Sequence, residues 1–168
     1  MLCIEESFES CKINIEEKIK LSETLGLIIN YKKSILTPTK VCEYLGWEIN
    51  SNDFTVQLTK PKKQKLSLLL KTFVTKNECS IREFAEFIGK LVAASQGVEY
   101  GLLYTRALER QKITALRIHN GNFNKIMEIH RSILPDIRWW ISNINKAKKA
   151  IKLQENVLEI NTDASNTG

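Results

Sequence analysis

The sequence predicts an α+β fold, with a short β region near the N-terminus, one helix before it and a train of basic helices after it. Three observations carry this. Apolar and β-branched runs broken by turn residues are concentrated in residues 27–58. On both sides of that stretch the apolar residues recur at helical spacing. The helical stretches also open on residues that cap helices, such as Ser7 and Ser80. With 168 residues, 43% hydrophobic and 26% charged, the chain has an ordinary globular composition and is long enough for one domain or two small ones.

The first helix is expected to start at the N-cap Ser7 and run through Phe8, Cys11, Ile15, Ile19 and Leu25, with Gly26 closing it at C′. Its apolar stripe implies packing on a sheet, and Glu5, Glu6 and Glu9 suit the positive end of its dipole. Residues 27–31 then read as a strand, followed directly by Lys32-Lys33. A second extended run covers 41–49, and Ser51-Asn52-Asp53 turns it into a third at 54–58. Within it lies Tyr44-Leu45-Gly46-Trp47, where the glycine allows another backbone to come close.

Thr59 or Lys60 should cap the next helix, with Pro61 at its first position and a buried stripe of Leu66, Leu69, Leu70 and Phe73. Lys60, Lys62, Lys63, Lys65, Lys71 and Lys76 carry one sign of charge along it, which points to an anionic partner. Ser80-Ile81-Arg82-Glu83 reads as a capping box opening a helix through Phe84, Phe87, Ile88, Leu91 and Val92 to near Gly97, with Gly89 leaving room for a close neighbour. Further helices are expected over 100–108, carrying Tyr104 and Arg106, over about 123–133, and from Pro135-Asp136 through Trp139, Trp140 and Ile144. Adjacent tryptophans cannot share a helix face, so one should be core and the other partly exposed or in a contact between domains. Lys146, Lys148, Lys149 and Lys152 form a basic linker, and 157–168 reads as a β-branched strand ending in Thr162-Asp163-Ala164-Ser165.

Four of these segments, in this order, resemble a reverse transcriptase, the RNA-directed DNA polymerase of retrotransposons. Leu25 to Ser34 with Tyr44-Leu45-Gly46-Trp47-Glu48-Ile49 looks like the late palm, where a lysine-bearing loop precedes an aromatic-Leu-Gly-aromatic primer grip. Ser80 to Leu91, ending in Gly89-Lys90-Leu91, resembles the thumb helix of long-terminal-repeat and tyrosine-recombinase (DIRS-type) elements. Trp139-Trp140-Ile141 with Asn143 resembles the connection of DIRS-type elements, and Thr162-Asp163-Ala164-Ser165 with Gly168 the opening strand of an RNase H domain. The resemblance implies palm at 1–58 with a partial sheet and one packed helix, thumb helices at 59–118, connection helices at 119–153, and a truncated RNase H start at 154–168.

It also implies roles. Lys33 would stand near the incoming nucleotide's phosphates, offsetting charge on the leaving pyrophosphate. Tyr44, Leu45, Gly46, Trp47, Lys62, Lys63, Lys65, Lys90 and Arg106 would hold an RNA–DNA or DNA primer-template duplex, Lys90 being the main phosphate contact of its helix. Asp163 would be the first carboxylate and Mg²⁺ ligand of a complete RNase H site; read without the family, it is a turn aspartate ending a strand. Polymerase chemistry needs clustered carboxylates holding two divalent ions. No Asp-Asp pair occurs anywhere in the sequence. The expectation is therefore a fragment that grips duplex without base readout, lacks polymerase and nuclease activity alone, needs no Mg²⁺ of its own, and depends on upstream palm and downstream RNase H segments.

Composition is compatible with that reading. The net charge is +6 and the pI about 9.1, which favours anionic partners. Cys3, Cys11, Cys42 and Cys79 form no C-x-x-C pair and only His119 and His130 could join them, so reduced thiols in an intracellular setting (cytoplasm or nucleus) are expected. The N-terminal residues do not read as a signal peptide, and no apolar run approaches a membrane span, so no membrane partner is expected. The alternative is a helical protein–protein interaction module, its exposed tryptophan docking a partner. Lysines of 60–76 lining one concave face would favour the first reading, and lysines scattered over a convex surface the second.

Overall fold

The computed structural model describes residues 1–151. The expected RNase H strand at 157–168, with Asp163, and Lys152 of the basic linker lie outside the described residues. The fold is mixed α+β, with a small antiparallel sheet leading into a helical body.

Helix α1 (Phe8–Thr24) forms as expected. The Ser7 hydroxyl accepts from the Ser10 amide at 3.1 Å. At the other end Gly26, with φ of 73°, is the C′ residue of a Schellman motif: its N–H donates to Glu23 O and that of Leu27 to Ser22 O. The helix nevertheless buries none of its residues, so the expected packing on a sheet is not what the structure shows. Its apolar positions Phe8, Ile13 and Leu21 are exposed. The expected strand at 27–31 is also absent. Residues 27–30 are irregular and Tyr31–Lys33 is a 3₁₀ turn whose Lys33 amide bonds Asn30. A β-branched run becomes a strand only where a neighbouring strand takes up its backbone groups. Among the described residues none does so here, and Ile28 stays almost wholly exposed.

The run expected as one strand over 41–49 is two, β1 (Val41–Tyr44) and β2 (Trp47–Asn50), joined by a two-residue turn. Leu45 and Gly46 have φ of 50° and 79°, the pattern of a type I′ hairpin turn, whose twist matches the strands it joins. Gly46 is thus a turn residue rather than a gap inside a strand. The turn over 51–54 leads to β3 (Thr55–Leu58), and β6 (Lys149–Ala150), inside the expected basic linker, closes the sheet in the order β1-β2-β3-β6.

Thr59 is the N-cap of α2 (Lys60–Thr75), with Pro61 at the second helical position rather than the first. A strand that the pattern concealed, β4 (Glu78–Ser80), leads into α3 (Ile81–Ala94). Only half of the expected capping box forms: Ser80 Oγ accepts from the Glu83 amide at 3.1 Å, while the Glu83 carboxylate pairs with Lys76. Helix α4 covers Arg106–Ile118, starting later than expected and running further. The expected helix at 123–133 is instead β5 (Ile126–Glu128), paired with β4, and a 3₁₀ turn at Arg131–Ile133. Three residues alternating exposed-buried-exposed have the period of a strand, and Cys79↔Met127 pairing places both inward. Last comes α5 (Leu134–Asn143).

The core is helical. Phe73 of α2 and Phe87 of α3 stack with ring centroids 3.9 Å apart, and Phe84 lies 6.2 Å from each. Such aromatic contacts add to area burial. Trp140 of α5 is fully buried, its Nε1 donating to Tyr104 O at 3.2 Å, whereas Trp139 is half-buried and stacked on the Tyr104 ring. One tryptophan is core and one is not, as expected. One buried cluster runs from Leu58 to Ile144, so segments 59–118 and 119–153 share a core, with α5 packed on α2.

Candidate nucleic-acid interface

Local backbone chemistry brings the hairpin to the helices. The Leu45 carbonyl accepts from Lys62 Nζ at 3.0 Å, and the Gly46 carbonyl from the Thr59 amide at 3.4 Å. Both turn carbonyls are thereby tied to the start of α2. The Lys62 ammonium also lies 5.9 Å from the centre of the Trp47 ring, a cation–π distance. Trp47 faces Leu58 across the β2–β3 ladder, and its indole rests on Gly97 just after α3. One side chain therefore spans the gap between two helices.

That gap is an open groove of about 460 Å³. One wall is α2, with Lys62, Lys65, Leu66 and Leu69; the other is α3, with Lys90, Ala93 and Ala94; Trp47 and Leu58 complete it. Both walls follow the i, i+3, i+4 spacing of a single helix face. The short alanine side chains on the α3 wall leave space between the two helices. The lining has three ammonium groups and no carboxylate, and among the described residues none of the three is in an ion pair. An apolar floor under cationic side chains can hold an anionic polymer by its backbone while their aliphatic stems cover the floor. The lining holds no hydroxyl, thiol, imidazole or carboxylate.

The expected binding residues divide. Trp47, Lys62, Lys65 and Lys90 converge on the groove, and Leu45 and Gly46 form the turn at its end. Tyr44 sits beside Trp47 in the ladder but does not line the groove. Arg106 is exposed at the start of α4 and Lys33 in its 3₁₀ turn, and neither lines it. Lys63 corrects the expectation outright. It is buried, and its ammonium donates to Gln57 Oε1 at 2.8 Å, Asn145 O at 3.3 Å and Ala147 O at 3.2 Å. One residue along a helix is a rotation of about 100°, so Lys62 and Lys63 cannot share a face. Burial pushes the Lys63 ammonium below the ordinary lysine value; the Glu48 carboxylate opposes this and Lys148 adds to it.

Of the remaining lysines of this stretch, Lys76, just past the end of α2, pairs with Glu83, while Lys60 and Lys71 are exposed away from the lining. Gly89 is open to solvent with nothing near its missing side chain. Sequence reasoning missed Gly97, whose lack of a side chain seats Trp47, and the alanine wall at 93–94. The i+3, i+4 spacing of those alanines from Lys90 was the signal available. Among the described residues no three His, Cys, Asp or Glu side chains form a metal-binding group. No described helix is long and apolar enough to cross a membrane. Comparison with protein-family models, curated proteins and solved structures finds no match for this chain.

Proposed function

We propose that this chain is the duplex-holding part of a retroelement reverse transcriptase, gripping a primer-template through the phosphate backbone without reading its bases. The observation that carries the reading is the convergence of Trp47, Lys62, Lys65 and Lys90, from three separate stretches of sequence, on one open groove without a carboxylate. Backbone contacts by cations position a duplex and confer no sequence preference. The chemistry of extension would rest on carboxylates outside the described residues.

The test is titration of an RNA–DNA hybrid at several salt concentrations. Each phosphate contact on a B-like duplex contributes about 0.9 log units of affinity per log unit of salt, so three lysines give a slope near 2.7. The triple substitution K62A/K65A/K90A is expected to remove most of that slope. Absence of binding at low salt refutes the proposal, and undiminished binding by the triple variant refutes the groove. With Mg²⁺ the chain alone should neither extend a primer nor cut a hybrid. Extension that survives both Asp163→Asn and Lys33→Ala would show the chemistry to lie elsewhere.

A further inference from the structure

Helix α1 is opposite in charge to the rest of the chain. Residues 5–24 hold six glutamates against three lysines, a net of −3 on a chain whose total is +6, which leaves +9 on the remainder. The helix is also uncovered. Its 17 residues include no alanine and three isoleucines, and it buries none of them. Helices in proteins take most of their stability from packing an apolar face, and β-branched residues add little of their own. Among the described residues α1 has no such packing surface.

One side of α1 is a ridge of definite chemistry. Glu9, Ile13, Glu17 and Leu21 follow one another at i+4, with Leu25 next in the row at the C-cap, and all five are exposed. Residues four apart lie on one face, and such rows are the ridges that enter grooves when helices pack. Ile13, Leu21 and Leu25 are each more than half exposed. Among the described residues neither Glu9 nor Glu17 is in an ion pair.

The groove between α2 and α3 is the complement of this ridge. Its floor includes Leu58, Leu66 and Leu69, and the only charges in its lining are the ammonium groups of Lys62, Lys65 and Lys90. At 1.5 Å per residue, Lys62 to Leu69 runs about 10 Å along α2 and Ile13 to Leu21 about 12 Å along α1. An apolar ridge in an apolar groove, with opposite charges at the rim, is the helix-in-groove mode of recognition. No residue of α1 lines the groove of its own chain. We propose that α1 of a second copy fills it, and that two copies exchange these helices reciprocally. Each copy then gives a helix and receives one, which closes the assembly as a two-fold dimer.

The experiment is sedimentation of the full chain from micromolar to millimolar concentration. It contains no nucleic acid, so its outcome is independent of whether the groove also holds a duplex. The parent should pass from monomer to dimer as concentration rises, and shift back towards monomer as salt screens the rim charges. Two double variants each reverse one side: E9K/E17K makes the ridge basic, and K65E/K90E makes the groove acidic. All four residues are exposed and outside any ion pair among the described residues, so each variant should keep the circular dichroism of the parent monomer. Each alone should associate at least about tenfold more weakly, because like charges then meet. Mixed in equal amounts the two should dimerise as the parent does, since every helix again faces a groove of opposite charge. A parent that stays monomeric at millimolar concentration overturns the proposal and leaves the ridge to a different partner. So does either variant that associates alone as tightly as the parent, and so does a mixture of the folded variants that fails to associate.

Discussion

The Trp47 indole lies so close to Gly97 that a Cβ built on the glycine would stand 2.4 Å from Trp47 Cζ3. Neither partner can yield easily. Trp47 is held in the β2–β3 ladder and Gly97 is buried in the turn that ends α3. Gly97→Ala should therefore cost about 1–3 kcal/mol, the range for overpacking. At this chain length that lowers Tm by roughly 2–4 °C per kcal/mol. It should also push Trp47 out of the groove and weaken hybrid binding. Calorimetry and hybrid titration on the same preparation check both. An alanine variant with unchanged Tm and unchanged affinity would show that the contact is unimportant.

Neighbouring lysines should separate stability from binding. Lys62→Ala removes a groove cation and is expected to weaken hybrid binding, while the loss of its single exposed bond to the Leu45 carbonyl lowers Tm less than Lys63→Ala does. Lys63→Ala strands Gln57 Oε1 and two backbone carbonyls that its ammonium now serves, and should cost about 1–3 kcal/mol while leaving the salt slope intact. The pH dependence has a definite sign. The folded value of Lys63 is lowered, so the unfolded chain holds this proton more tightly, and its contribution rises with pH up to the ordinary value of 10.5. Urea melts of the parent chain and Lys63→Met across alkaline pH should show the parent gaining relative to the variant.

Cys79 should be chemically silent in the folded chain. Desolvation, with the Glu83 carboxylate adding to it, pushes its thiol from 9.0 to about 11, and the thiolate is the reactive form. Cys3, Cys11 and Cys42 are only partly buried. A disulfide exchange reagent at neutral pH is expected to label three thiols quickly and the fourth only on unfolding. The raised value makes the neutral thiol part of the stability. That contribution is complete below pH 9.0 and is lost as the pH rises towards 11. Cys79→Ala should flatten this part of the alkaline stability profile.

What the sequence revealed depended on whether a signal was local. Caps are local: Ser7, Gly26 and Ser80 stand where their own chemistry placed them, whereas Thr59 takes the N-cap position of α2 without a side-chain cap bond. So are the helical stripes of α2 and α3, whose Leu70, Phe73, Phe84 and Leu91 are buried as the periodicity requires. Strand pairing is not local. Residues 27–31 have the composition of a strand and, among the described residues, lack a neighbour, whereas Cys79 and Met127 form a ladder that only the fold brings together. Residues 123–133 misled because Phe123, Ile126 and Met127 stand at helical spacing, while the partner that makes 126–128 a strand lies at 78–80, far off in sequence. In the groove, the residue types were legible and their directions were not. Six lysines in one stretch are legible as a run of one charge, but only packing decides that Lys62 and Lys65 line the groove while Lys63 turns in.

The turn at Leu45-Gly46 offers a substitution that should raise stability while testing the interface. Leucine is poorly suited to a φ of 50°, and at 76% exposure Leu45 gains almost nothing from burial to offset the strain. Asparagine tolerates that conformation and is preferred before glycine in this turn type. Leu45→Asn should therefore add roughly 0.5–1 kcal/mol, a fraction of the usual left-handed penalty. The contact from Lys62 Nζ to the residue-45 carbonyl involves only backbone on that side, so the seat of the hairpin on α2 is preserved. Gly46→Ala is the opposite case. Its φ of 79° disfavours any side chain, and the new Cβ would stand 2.1 Å from Lys62 Cε and Nζ. The lysine tail can move aside, but doing so gives up the bond that fixes the turn. If the Leu45 side chain reaches the duplex, Leu45→Asn will bind hybrid more weakly although it melts higher. If only the groove cations make contact, affinity will be unchanged, and the turn's part in the interface is reduced to holding Trp47 in place.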